Sequence, residues 1–258
     1  MLFRILGPLE VEHGGRLLDL GRPKQRALLA SLLVSANRVV PADRLLEELW
    51  EGEARDGGAA ALQVQVSRLR RVLAPTGSPR LESRKPGYVL HSGDDELDSW
   101  RFERLVGEAQ GAGGAGRPAA AAERLRAALA LWRGPALADF AFADFARTDI
   151  IRLEELRLVA LEEQAAAELA LGRHAEVVAR LRPLVAEHPL REGLWHQLIL
   201  ALYRCGRQAD ALRSYADLRR RLGEESARYG GARTRGRPRG RSGGARTAAR
   251  WSASRGER

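Results

Sequence analysis

Residues 59–73 read AAALQVQVSRLRRVL. Leu62, Val66, Leu69 and Leu73 recur at i, i+4, i+7 and i+11, the spacing of one buried helical stripe. That stripe turns Val64, Ser67, Arg68 and Arg71 outward, flanked by Gln63, Gln65 and Arg70. A helix that enters a DNA major groove needs such a set, because Arg pairs with guanine edges, Gln with adenine, and Val meets a thymine methyl. Arg also neutralises phosphate, which supplies much of the raw affinity. Taken alone, the segment reads more readily as an ordinary solvated helix face. The elements around it reverse that balance.

Upstream, residues 2–20 read as short strands: Phe3, Ile5, Leu9 and Val11 alternate with polar or small residues around a His13–Gly14–Gly15 turn. Gly21 to Pro23 breaks the pattern. A first helix is expected over Lys24–Ala36, with Leu28, Leu29, Leu32 and Leu33 as its stripe, followed by a short extended link at Arg38–Val40. Pro41 suits the first turn of a second helix whose apolar face is Leu45, Leu46, Leu49 and Trp50. Gly52–Gly58 reads as a loop, and Pro75–Pro79 ends the third helix. RLESRKPGYVL, residues 80–90, reads as two strands about a Lys85–Pro86–Gly87 turn. Strands, three helices and a hairpin are the order of a winged helix-turn-helix. Arg84 and Lys85 then sit on the wing, within reach of phosphate or minor groove. Tyr88 is expected to pack. Lys24 and Arg26 open the first helix, where free amides and basic side chains together suit a phosphate; a solvated helix start accounts for them nearly as well.

Downstream, Gly93–Asp98 is an acidic linker and the expected domain boundary, with Asp98 or Ser99 capping the next helix. Everything to about Glu225 reads helical. Gly172–Arg173 and Gly206–Arg207 lie 34 residues apart, and the same offset pairs Val178 with Leu212 and Ala167 with Ala201. That period is the tetratricopeptide one. Gly116–Arg117 is a looser third copy if Trp132–Ile150 is an insert. The expected fold is therefore mainly α: a winged helix over 1–92, an all-α tetratricopeptide-like domain over 93–225, and a disordered Arg/Gly-rich tail over 226–258.

Formal net charge is +10, but it divides as +4 over 1–92, −3 over 93–225 and +9 over 226–258. The tail, not the folded part, makes the chain basic. Its ten Arg add nonspecific phosphate contacts, unless the tail is the remnant of a shifted reading frame in GC-rich coding sequence. Cys205 is the single cysteine, so no intrachain disulfide forms and a cytoplasmic setting fits. No signal peptide or membrane-length apolar run is evident. Enzyme readings fare badly: there is no GxxxxGK[ST] loop, and the five His show no metal spacing. No cofactor or metal is expected. An interaction scaffold built on the repeats is the competing function, and a repressor the variant of the DNA-binding one.

GRPKQRALLASLLVSANRVVPADRLLEELW, ALQVQVSRLRRVL and RKPGYVL closely resemble the Streptomyces antibiotic regulatory protein family. DSWRFERL, LWRGPALADF, RLEELRLVALEE, LGRHAEVVARLRPLVAEHPLREGLW and ALYRCGRQADAL resemble that family's bacterial transcriptional activator domain. The resemblance spans about residues 1–225. It implies an OmpR-type winged helix, of the kind found in two-component effectors, and an activating, self-associating helical domain. It also implies control of secondary-metabolite gene clusters. It further implies binding to double-stranded DNA at direct repeats near the promoter's −35 element, contact with RNA polymerase, and a homodimer on DNA within the nucleoid. Gln65, Ser67, Arg68 and Arg70 take the groove positions of that family, and Lys85–Gly87 its wing. The departure lies after LRRRLGEE. There the chain turns to SARYGGARTRGRPRGRSGG instead of an amphipathic helix, and the Leu212, Tyr215 and Leu218 face is expected to lose its cover.

Overall fold

The structure is a computed structural model and describes residues 1–50, 58–74 and 80–233. Residues 52–57 of the expected Gly52–Gly58 loop, the break at Pro75–Pro79 and most of the tail lie outside the described residues, while Gly58 already belongs to the third helix. An antiparallel meander opens the chain: β1 (Leu2–Arg4), β2 (Glu10–His13) and β3 (Arg16–Leu17), with Phe3 opposite Val11. The alternation anticipated for this stretch is realised, since Phe3, Ile5, Leu9 and Val11 are all buried.

Next come α1 (Pro23–Val34), β4 (Val40–Pro41), α2 (Ala42–Trp50), α3 (Gly58–Leu73), β5 (Leu81–Arg84) and β6 (Gly87–Leu90). The second sheet has the order β4-β6-β5. Pro41 is the last residue of β4 rather than part of α2; Val40 and Pro41 pair with Tyr88 and Gly87, and the helix begins one residue later. α1 buries Leu28, Leu29, Ala30, Ser31, Leu32 and Leu33 in one run. A helix apolar on all sides belongs in the middle of a core. It packs on α2, α3 and β6, and also on α6 of the second half.

The second half is three antiparallel helix pairs: α4 (Asp98–Gly114) with α5 (Pro118–Leu129), α6 (Asp144–Ala170) with α7 (His174–Glu187), and α8 (Glu192–Arg204) with α9 (Gln208–Arg233). Each pair turns on a glycine of positive φ: Gly116, Gly172 and Gly206. At each turn the following Arg N–H reaches back to the carbonyl five residues earlier: Arg117 to Ala112, Arg173 to Glu168 and Arg207 to Leu202. This is a Schellman stop; space is open around each of the three glycines, and it is the left-handed backbone that would strain any residue carrying a Cβ. The looser third repeat is thus real in geometry. Its insert is Leu131–Ala143, carrying a 3-10 turn at Ala138–Phe140, while Asp144–Ile150 already belong to α6. α9 continues to Arg233, past the expected end at Glu225.

The segment taken for a linker, Gly93–Asp98, is built into the fold. Leu97 bridges Phe3 in parallel, and the Phe3 N–H donates to the Glu96 carbonyl at 2.6 Å. Asp98 does not cap α4; Leu97 is the N-cap and makes no side-chain cap bond. The Asp98 carboxylate instead accepts the Ile5 and Leu6 N–H groups at 2.8 and 3.1 Å. One hydrophobic core runs from Phe3 through Leu69 and Phe102 to Leu153 and Ala160. A second begins at Ala165 and ends at Leu218. The division between cores therefore falls inside α6, not near residue 93.

Candidate nucleic-acid interface

α3 packs on α1, α2 and β5. Leu62, Val66, Leu69 and Leu73 are buried, as the stripe requires. Gln63, Val64, Ser67, Arg68, Arg70 and Arg71 are exposed on the other side, and Gln65 is half-buried. The Gln65 Oε1 atom is itself buried without a partner among the described residues. The β5–β6 hairpin lies beside this face with Arg84 and Lys85 exposed at its turn.

Arg70 connects the two. Its Nε donates to the Leu81 carbonyl and its Nη2 to the Ser83 hydroxyl, both at 2.9 Å. The guanidinium assigned to the groove thus fastens the wing to α3, and its fork geometry suits two divergent acceptors. Sequence reasoning missed this role, because Arg70 stands beside Arg71 and Arg68 with nothing local to set it apart.

Gly87 holds the wing to the body. A Cβ there would lie 1.9 Å from the Val40 carbonyl and 2.8 Å from the Ala42 nitrogen. The backbones of β4 and β6 approach too closely for any side chain. Tyr88, half-buried against the core, packs as expected. Asn37, at φ 64, closes the other end of the sheet: its amide exchanges hydrogen bonds with the Ser92 backbone at 2.9 and 3.0 Å.

The first-helix basic pair divides. Lys24 is exposed, with Nζ 4.9 Å from the Trp50 ring centroid. Arg26 is engaged within the chain: its Nη2 donates to the Leu9 carbonyl at 3.0 Å and to Asp139 at 2.6 Å. Arg133 serves the same seam, donating to the Pro8 carbonyl at 3.0 Å and pairing with Glu10 at 2.9 Å. Asp139 and Arg133 both come from LWRGPALADF. The only sequence hint of their role is a Gly-Pro, aromatic-rich interruption in otherwise Ala/Leu-rich helices.

Among the described residues, Arg68, Arg71, Arg84 and Lys85 have no ion pair or hydrogen-bonded partner. In the second half, by contrast, Arg104, Arg152, Arg180 and Arg191 each hold a carboxylate. No group of three or more potential metal ligands occurs among the described residues, and no helix there is long and apolar enough to cross a membrane.

Residues 97–237 match the family described as "Bacterial transcriptional activator domain", and residues 17–90 match "Transcriptional regulatory protein, C terminal". RedD of Streptomyces coelicolor, a transcriptional regulator, is 39% identical over 90% of this chain and 68% of its own length. The chain belongs to the Streptomyces antibiotic regulatory protein family. AfsR of Streptomyces coelicolor is 43% identical over 86% of this chain and 22% of its own length. EmbR of Mycobacterium tuberculosis is 40% identical over 86% of this chain and 58% of its own length, so the chain spans little more than half of that relative. The solved structure of EmbR in complex with a low-affinity phosphopeptide superposes with a TM-score of 0.83 at 39% identity, over 86% of this chain and 60% of that one. The two family matches meet at the Gly93–Asp98 segment. In this antibiotic regulatory protein that segment is nevertheless part of a shared core.

Proposed function

We propose that this chain is a sequence-specific DNA-binding transcriptional activator of a secondary-metabolite gene cluster. α3 lies in the major groove, with Arg68, Ser67, Gln63 and Val64 on base edges and Arg71 on phosphate. Arg84 and Lys85 reach the backbone or minor groove beside it, and Lys24 adds a flanking phosphate contact. The protein binds direct repeats as a head-to-tail pair, and the helical half, over roughly 93–233, presents a surface to RNA polymerase. This places its work in the cytoplasm, at the nucleoid.

The observation that carries the reading is the contrast in charge use. The exposed guanidinium and ammonium groups on α3 and the hairpin have no partner among the described residues, while Arg70, in their midst, spends its donors holding the two elements in fixed relation. Unpaired cations on a rigid convex helix and wing suit a polyanion. The test is selection of bound duplexes from a random pool, followed by Arg68→Ala on the selected site. Discrimination should fall by about 1–3 kcal/mol at one base position. A pool that yields no preferred duplex, or an R68A protein with the parent's preference, refutes the assignment. A promoter–reporter fusion separates activation from repression.

A further inference from the structure

α1 ends at Val34 and α6 begins at Asp144, and both ends line a cleft of about 600 Å³ between the winged half and the helical half. A volume of roughly 300–1,000 Å³ holds a drug-sized ligand. The winged wall carries Ser35, Arg38 and Arg44, and the helical wall Asp144, Phe145 and Thr148. Both walls are braced. Arg44 donates to one Glu48 oxygen at 2.6 Å, and the other accepts the Ser31 hydroxyl at 2.6 Å. Phe145 leans on Phe140, with ring centroids 5.7 Å apart, and Arg152 holds Asp149 at 3.5 Å. With these pairs set aside, one charge is left on each wall. Arg38 and Asp144 are exposed, and neither has an ion pair or a side-chain hydrogen bond among the described residues. Asp144, in the first turn of α6, suits the helix dipole; Arg38, in the loop after α1, serves no such end. Val34 and Val39 join the Phe145 ring in giving the cleft an apolar part.

The geometry points to a binding site for a small zwitterion that bridges the two halves, with its carboxylate on Arg38, its ammonium on Asp144 and its apolar body on Phe145, Val34 and Val39. Three features select this class of ligand. A polyanion such as a DNA backbone would bring phosphates against Asp144, Asp149 and Glu48, and a polycation would meet Arg38 and Arg44, so only a molecule of both signs satisfies both walls. The two free charges stand on different halves of the chain, and that placement together with the volume suits a molecule of di- or tripeptide size. The Ser35 and Thr148 hydroxyls, each donor and acceptor, supply neutral partners for amide groups between the charged ends. The braced side chains leave little to be ordered on binding, which favours a preformed site. α1 packs on both α3 and α6. An occupant of this cleft therefore touches the helix that supports the recognition helix and the helix that joins the two cores.

The inference stands apart from the DNA reading, since neither Arg38 nor Asp144 is assigned to the duplex. Its test is isothermal titration calorimetry of the full chain with the tripeptide Ala-Phe-Ala as probe. Two capped forms accompany it: the N-acetyl peptide, which lacks the ammonium, and the C-terminal amide, which lacks the carboxylate. The parent should bind the zwitterion saturably at one site, and each capped form at least about tenfold more weakly, the worth of one charge-assisted hydrogen bond. Asp144→Asn should bind the zwitterion and the N-acetyl form equally, and Arg38→Ala should bind the zwitterion and the amide equally. Each variant thus loses one discrimination and keeps the other, which a general loss of structure would not produce. Arg101→Ala removes an exposed guanidinium of α4 outside the cleft and should bind all three peptides as the parent does. Circular dichroism should be unchanged throughout. No saturable heat from the zwitterion, equal affinity of the parent for the three peptides, R38A and D144N proteins that keep both discriminations, or the same loss in R101A would each overturn it.

Discussion

Asp139 binds the Arg26 guanidinium at 2.6 Å across 113 residues of chain, and the same carboxylate oxygen accepts the Leu9 N–H at 2.8 Å. With Asp98 on Ile5 and Leu6, two carboxylates of the helical half satisfy three amides of the segment between β1 and β2. The backbone runs the other way as well: Arg133 and Leu137 donate to the Leu6 and Ile5 carbonyls at 2.8 Å. The winged half and the first helix pairs are therefore joined by hydrogen bonds as well as by apolar contact.

Asp139→Ala removes both bonds at once. An amide and a guanidinium left without their acceptor cost about 1–3 kcal/mol. The urea midpoint should fall accordingly while the denaturant slope stays constant. Asp139→Asn should recover part of the loss, because its carbonyl still accepts from Leu9.

Ending the chain at residue 92 exposes more than one seam. It removes Leu97, Phe102, Leu125, Leu137 and Leu153 from the core that α1 occupies, and leaves Ile5, Leu6 and Leu9 without acceptors. The 1–92 fragment should show no cooperative thermal transition. A sharp transition in that fragment would mean that the winged helix folds without its neighbour.

Gly87→Ala forces a methyl group into the Val40 carbonyl. The two strands must part, at about 3 kcal/mol, the upper end of an overpacking penalty. The amides of β4 and β6 should lose protection in hydrogen exchange before those of β1 and β2.

Arg80 holds Glu96 through two hydrogen bonds, and this, above all else, lowers the Glu96 carboxyl to about 2; the Gly93 N–H and the chain's amino terminus add to it against the cost of burial. A depressed carboxyl stabilises the fold above its unfolded value near 4.5, and that contribution is lost as pH falls from there towards 2. Asp98 has the opposite sign: burial pushes its carboxyl up, against the Ile5 and Leu6 amides, so the folded state takes up that proton first. Unfolding midpoints measured down the acid limb should fall more gently in Glu96→Gln than in the parent. Equal slopes would remove Glu96 from the account.

Lys85→Ala tests the wing. Loss of one phosphate contact should weaken all duplexes about equally and reduce the salt slope of binding by about one. Arg70→Ala should do more, since it frees the hairpin from α3. The cost of about 1 kcal/mol in stability should then come with lower affinity from several wing contacts rather than one.

The sequence by itself determined the elements and their repeat. Period-3.6 stripes placed α1, α2 and α3, alternation placed the first sheet, and the glycine–arginine turns set the 34-residue frame, because these depend on neighbours within a few residues. The outward face of α3 was legible for the same reason: once Leu62, Val66, Leu69 and Leu73 turn inward, the rest must turn out. What the chain could not reveal locally is which polar groups meet across long separations. Arg26, Arg70 and Asp98 carry no local mark that distinguishes a guanidinium on phosphate from one on a carbonyl, or a helix cap from an acceptor for a distant strand. Their partners, Asp139, Leu81 and Ile5, are brought within bonding distance only when the helices pack. The seam between the two cores, set inside α6, is likewise decided by that packing, since apolar burial is counted over the whole assembled interior and not along the chain.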